Sequence, residues 1–364
     1  MPLTNAQLRT ALNKLYTIPV EIYTTAPLPI NKTCYDPLRN LPQTGFTFKV
    51  KELLHVIGCK TAALPMSQKD EAIRSAHLYT NILDFSSNNF SYLVDVDSDL
   101  QTSRSNEMGI GFMCLLANKY FKIPWDKLES IPGKETRFDY RGKSNGLNCI
   151  FEAKGTKHSY NQKSQVEDSI RKKEHYHAQN HFNDIELIVS SFIGAQGSSP
   201  RLLIGDPKFR IHEYTFSKES NYFFKMRHYT RVLQFAGLTS AAYSLYNNSR
   251  KYFKTGEILS ENVKSTNENE ISEYEFNDIK FLGMWTNNWL PEKSKRYQNL
   301  YKYDYSKNSL LNSRIFQGIR TDYYENILRN KLDLIGTNLK DFHKIKENMD
   351  LSIFSDGSIQ VFSD

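Results

Sequence analysis

Asp139, Glu152 and Lys154 are the residues whose types and spacing suit chemistry. Asp139 stands in the run Arg137-Phe138-Asp139-Tyr140, and Glu152-Ala153-Lys154 follows at the end of a mostly apolar stretch that begins at Leu147. Successive side chains of a strand point to opposite faces. Glu152 and Lys154 therefore share one face with Asn148 and Ile150, while Leu147, Cys149, Phe151 and Ala153 make up an apolar face. On this reading the charged pair projects from a sheet anchored by its other side. If a strand over 136–141 pairs with one over 147–155 through the basic, glycine-containing turn 142–146, Asp139 comes to lie beside the charged pair. Two carboxylates then offer a hard oxygen site suited to Mg²⁺ or Mn²⁺. A metal held there polarises a phosphate and activates water, and an ammonium stabilises charge that develops in the transition state. That chemistry is phosphodiester hydrolysis. A salt-bridge cluster across a solvated sheet face uses the same three residues without a metal.

These residues need elements to hold them. The spacing of Met108, Phe112, Leu115 and Leu116 predicts a helix over 104–121, capped by Ser103 or Ser105. The two strands around the turn follow. A polar helix over 163–182 comes next, then buried strands over 184–193 and 201–205. Helix, strand, strand, helix, strand implies a mixed α/β sheet, with the second helix long enough to be a crossover.

An aspartate, a gap of about a dozen residues and then Glu-x-Lys closing a hydrophobic strand resembles the PD-(D/E)XK nuclease superfamily. The resemblance covers residues 101–205, with Phe138 where the family name has proline. It implies a restriction-endonuclease-like α/β core of helix, antiparallel meander, helix and strand. It also implies catalytic roles for Asp139, Glu152 and Lys154, with Asp139 and Glu152 as metal ligands. Glu107, on the first core helix, corresponds to a further metal-binding glutamate, and Gln165 to a polar residue on the helix after Glu-x-Lys. Each has a plainer reading: a carboxylate early in a helix is favoured by the helix dipole, and a glutamine suits an exposed helix surface. The activity implied is a Mg²⁺-dependent nuclease, with Mn²⁺ as an alternative metal. Double-stranded DNA would be cut as by an endonuclease of restriction or anti-phage defence, with a protein partner or a second copy as further partners. The alternative is a non-catalytic nucleic-acid-binding or assembly subunit on a degenerate nuclease fold.

The rest of the chain sets bounds. It has 364 residues, 39% hydrophobic and 24% charged, which suits a globular protein of two or three domains. The expected division is a mixed N-terminal region over 1–100, the core over 101–205 and an α-rich region over 206–364 for target recognition or partner binding. The net charge of +7 permits a polyanionic partner. Residues 137–174 hold nine Lys/Arg against five Asp/Glu, an excess of +4 around the proposed site. No apolar run reaches membrane-spanning length, and the N-terminus lacks a signal-peptide profile. Four scattered cysteines without a CxxC pair fit a reduced, cytoplasmic setting. Phosphate-loop and GxSxG motifs are missing. Helices are expected over 4–16, 68–83 and 220–253, loops over 27–43 and 256–277, and a hairpin over 350–363 turning at Ser355-Asp356-Gly357-Ser358. His177 and His181 are spaced for one helix face, as a zinc pair or as part of a solvated basic helix. Residues 285–330 interleave cations with aromatics, which suits either nucleic acid or a helical domain with an aromatic core.

Overall fold

A computed structural model describes residues 10, 12–23, 36–61, 83–84, 90–92, 98–131, 138–178, 184–195, 198–205, 218–257, 262–265, 271–286, 314–336, 341–346 and 349–363. The chain divides into two compact units. Lys14–Thr61 and Leu78–Ser217 form one; Met1–Asn13, Ala62–His77 and Lys218–Asp364 form the other. The expected separate region over 1–100 is thus corrected, because most of its described part folds with the core.

The first unit contains β1 (Leu15–Ile18), β2 (Val20–Tyr23), β3 (Phe46–Lys49) and α1 (Val50–Thr61). It continues with β4 (Leu83–Asp84), β5 (Ser91–Tyr92), α2 (Ser98–Phe121), β6 (Glu129–Ser130), β7 (Tyr140–Ser144) and β8 (Leu147–Thr156). Helix α3 (Ser159–Ala178), β9 (Ile185–Phe192) and β10 (Arg201–Gly205) complete it. Six strands form a mixed sheet in the order β2-β10-β9-β8-β7-β6. Strands β6, β7 and β8 make an antiparallel meander, α3 crosses over, and β9 returns parallel to β8. Strand β2 joins the far edge parallel to β10. This is a mixed α/β architecture.

Both faces of β8 are covered. On one side α2 lies so close that a Cβ on Gly109 would sit 2.5 Å from the backbone carbonyl of Lys154. Phe121 of α2 meets Phe151 edge-on, with centroids 6.0 Å apart. On the other side Val166 and Ile170 of α3 pack with Phe138, Ile150, Ile188 and Leu203. The expectation that the Glu152 face looks outward is therefore wrong: α3, the crossover helix, lies over it. Beyond α2, Gly111 abuts Leu53 and Ile57 of α1, next to an aromatic cluster of Phe46, Phe48, Phe90 and Phe112.

Several boundaries differ from expectation. Helix α2 begins at Ser98, so Ser105 is buried inside the helix and neither serine caps it. Helix α3 begins at Ser159 rather than 163. The hairpin turn is only Asn145-Gly146, both at positive φ (48° and 85°), so β7 runs on to Ser144 and Asp139 falls just before it. Such a two-residue turn matches the twist of the strands it joins. Residues 36–39 and 41–44 form short helices where a loop was expected. Leu15 and Tyr16 belong to β1 rather than to a helix over 4–16, most of which lies outside the described residues, as does 68–82.

The second unit contains α4 (Lys218–Phe235) and α5 (Thr239–Thr255), turning at Gly237 with φ 77°. Its strands are β11 (Ser272–Phe276), β12 (Ile279–Thr286), β13 (Arg314–Arg320), β14 (Phe342–Lys346), β15 (Met349–Ile353) and β16 (Ser358–Ser363). Helix α6 (Thr321–Leu328) follows β13. The strands form one antiparallel sheet in the order β11-β12-β13-β16-β15-β14. The expected α-rich C-terminal region is thus half right: α4 and α5 are helices, and the remainder is mainly sheet. Residues 272–276 of the expected loop are β11, because Ser-Glu-Tyr-Glu-Phe alternates with the strand period. The two edge strands meet through side chains. Phe276 of β11 lies 5.5 Å from Phe342 of β14, and the Lys344 ammonium sits 5.3 Å over the Phe276 ring. The terminal hairpin forms as expected, with Ile353 opposite Ile359.

Candidate functional site

Asp139 is held by its backbone before its side chain does anything. Its N–H donates to Phe151 O at 3.1 Å, and its carbonyl accepts from Ile131 N at 2.8 Å. Buried Phe138 anchors the preceding residue. The register Tyr140↔Phe151 puts Asp139 level with Glu152. Its Oδ2 accepts a hydrogen bond from Ala153 N at 2.9 Å, which leaves Oδ1 open among the described residues. The structure thus brings Asp139, Glu152 and Lys154 together.

Glu152 is 0% exposed along its side chain and has two ammonium partners. Lys154 Nζ lies 2.8 Å from Oε1. Lys172 Nζ, from α3, donates to Oε1 at 2.7 Å and Oε2 at 2.8 Å. Lys154 remains 32% exposed and Lys172 25%, so both cations reach solvent from the rim of a buried carboxylate. Asp139, Glu152, Lys154 and Lys172 together sum to zero formal charge.

Burial pushes the Glu152 carboxyl above its ordinary range, and the Asp139 charge pushes the same way. Lys154 and Lys172 pull it down but do not win. Burial also depresses Lys154, but the attraction of Glu152, with Asp139 and Asp168 behind it, leaves its pKa above the ordinary lysine value. The site therefore holds its ammonium firmly and its central carboxylate under tension.

Gln165 bridges the sheet from α3. Its Nε2 donates to Gly155 O at 3.3 Å and its Oε1 accepts from Ser190 Oγ at 3.3 Å. Both contacts tie α3 to the end of β8 and to β9. Glu107 is placed differently. Gly109 and Ser105 of α2 lie against the end of β8; Glu107 is two positions from each, about 200° around the axis. It pairs instead with Arg104 at 2.8 Å. Among the described residues, no group of three ligating side chains within 4.8 Å joins Glu107 to Asp139 and Glu152. Its expected place in the same metal shell is not what the structure shows, since helix phase turns it from β8.

Lys172 and Asp168 are participants that reading the sequence missed. The signal was present: Gln165, Asp168 and Lys172 stand at helical spacing of three and four, so a helix that brings Gln165 to β8 brings the other two along. Lys163 and Arg171 are exposed on the same helix. The side chain of His177, His181 itself and the cations between 293 and 307 lie outside the described residues. Of the other basic residues in 285–330, Arg320 forms two hydrogen bonds to Asp322, at 2.9 and 2.7 Å, and Arg329 pairs with Glu325 at 3.6 Å. Comparison with known proteins gave no match, whether to a family model, a curated protein or a solved structure.

Proposed function

We propose that the chain is a metal-dependent nuclease that hydrolyses phosphodiester bonds, with double-stranded DNA as substrate and Mg²⁺, or Mn²⁺ in its place, as metal. The observation that carries the reading is the convergence of Asp139, Glu152 and Lys154 at the edge of a buried strand. The order α2, meander β6-β7-β8, α3, β9 supports it, because the PD-(D/E)XK resemblance implies that sequence of elements with these residues on its second and third strands. The donor set fits a hard cation. Asp139 keeps an oxygen open among the described residues, Glu152 is penalised by burial and then by its like-charged neighbour, and a cation held by the two would relieve that penalty. A bound Mg²⁺ would polarise the scissile phosphate and lower the pKa of a water.

The chain's own residues supply the rest. Asp139 and Glu152 would hold the metal, with Asp139 oriented by the Ala153 N–H. Lys154, one-third exposed and held protonated, donates to the phosphate oxygens as charge builds on them. Gln165 fixes α3 against β8, which keeps Lys172 over Glu152. The basic excess on residues 137–174 attracts the substrate backbone. Restriction or anti-phage defence and a cytoplasmic setting extend this proposal. In keeping with the latter, Cys59, Cys114 and Cys149 are buried and form no disulfide among the described residues. No described helix is long and apolar enough to cross a membrane.

A second reading has its own observation. Lys154 and Lys172 neutralise the two carboxylates without any metal, as suits a nucleic-acid-binding or assembly subunit on a degenerate nuclease fold. Plasmid and linear DNA incubated with pure protein, with Mg²⁺ or with EDTA, separate the two. The nuclease reading expects Mg²⁺-dependent cleavage that Asp139→Ala and Lys154→Ala abolish while circular dichroism stays native. Cleavage that survives either substitution in full would sink the site assignment, and binding without cleavage would favour the second reading.

A further inference from the structure

We infer that the outer face of the α4–α5 hairpin is a binding surface for single-stranded nucleic acid. Helix α5 buries Ala241, Ala242, Leu245, Asn248, Ser249 and Tyr252. Its opposite face carries Tyr243, Tyr246, Asn247, Arg250, Phe253 and Lys254, spaced three and four apart as one stripe. Two large rings on that stripe lie open, Tyr243 at 56% and Phe253 at 62% exposure. Between them Tyr246 is flanked by two guanidiniums. Arg227 of α4 stands 5.4 Å from its ring centroid and Arg250 5.9 Å. Phe253 is braced by Phe223 of α4, with centroids 5.3 Å apart. Phe253 is thus supported from one side, while Tyr243 and Phe253 both remain more than half exposed.

Charge decides the kind of partner. Helix α5 contains no aspartate or glutamate, and Arg250, Lys251 and Lys254 form no ion pair with a described carboxylate. The nearest acidic residue along the described chain is Glu257, beyond the helix end. Guanidiniums laid over a ring keep their edges free for phosphate oxygens. From Tyr243 to Phe253 the stripe runs about 15 Å along the helix, room for several nucleotides. A duplex hides its bases and meets only the cations, whereas unpaired bases also use the rings, so the exposed aromatics select for a single strand. The inference does not depend on cleavage at Glu152, because the residues belong to another part of the chain and the test is run without metal.

Fluorescence anisotropy of a labelled 20-mer oligo-dT, titrated with the full chain in EDTA, tests it. The wild type is expected to bind the single strand more tightly than a 20-base-pair duplex. Tyr243→Ala with Phe253→Ala should weaken binding roughly tenfold or more, since each stacked base contributes that order of affinity. Arg250→Ala with Lys254→Ala should also lower the slope of log affinity against log salt by about 1.4, at about 0.7 per cation lost on a single strand. All four positions are on the surface, and circular dichroism checks that the variants fold. No binding to oligo-dT, binding unchanged by both pairs of substitutions, tighter binding to the duplex that ignores the rings, or equal binding to poly-glutamate would each overturn the inference.

Discussion

Replacing Lys172 by methionine probes the competition between an ammonium and a metal for one carboxylate. Lys172 donates to both oxygens of Glu152, at 2.7 and 2.8 Å, from a position one-quarter exposed. A divalent cation that uses Glu152 must first displace that ammonium into solvent. Charge-assisted hydrogen bonds contribute about 1.5–3 kcal/mol, and partial exposure argues for the lower end, about 1.5 kcal/mol. That corresponds to roughly tenfold in dissociation constant. Methionine keeps the apolar stem and removes the charge, which takes the four-residue site from zero to −1. Isothermal titration with Mn²⁺ at pH 8 should therefore give an affinity roughly tenfold tighter for Lys172→Met than for the wild type. Lys172→Arg, which keeps the cation, should not show the gain. Mn²⁺ affinity that is unchanged or weaker in a natively folded Lys172→Met variant would refute the idea that ammonium and metal compete for Glu152.

Glu152 also makes stability depend on pH. Burial, with Asp139, raises its folded pKa above the ordinary value of 4.5. Between those two values the folded chain keeps a proton that the unfolded chain has lost, so stability falls as pH rises through the window. Glu152→Gln does not titrate, so its melting temperature relative to wild type should shift upward as thermal unfolding is followed from pH 4.5 to 7.5; a constant difference would count against the raised carboxyl. Gly155→Ala tests how closely α2 approaches β8. The new Cβ would lie 1.7 Å from Ser105 O, a backbone atom that moves only with its helix. A loss of about 3 kcal/mol in urea unfolding is expected, and a loss near zero would mean that the two elements are not in contact there.

The three central residues were legible because their relation is local. Asp139 and Lys154 are fifteen positions apart, a two-residue turn joins their strands, and strand parity places Glu152 with Lys154. The environment of the site was not legible in the same way. Alternation along β8 marks one apolar face and one mixed face, which reads as inside and outside. Only the crossover by α3 turns the mixed face inward, and the depth of Glu152 follows from Ile150 on that same face packing against Val166 and Ile170. A carboxylate taken that deep is costly unless it is paired or protonated, and Lys172 on the covering helix supplies a pairing charge. Glu107 shows the converse: its position along α2 agreed with the resemblance, but the close approach at Gly109 and Ser105 fixes the helix phase and turns it elsewhere.

The same distinction explains the outer parts of the fold. The terminal hairpin is readable because Gly357, at φ 80°, sits between two short apolar strands. Strand β11 carried a local signal too, with alternating Glu273-Tyr274-Glu275-Phe276 ahead of Asn277 and Asp278, both at positive φ in a hairpin turn. Its acidic composition masked that alternation. Strand β2 gave no such clue. Its partner β10 lies some 180 residues further on, and Val-Glu-Ile-Tyr contains nothing that selects Arg-Leu-Leu-Ile-Gly over any other buried strand. Pairing at that separation is set by which edge of the sheet remains open after the meander and crossover are built. The sheet containing Glu152 must therefore be completed by a segment from before α2, which is why residues Lys14–Thr61 belong to the unit that holds the site.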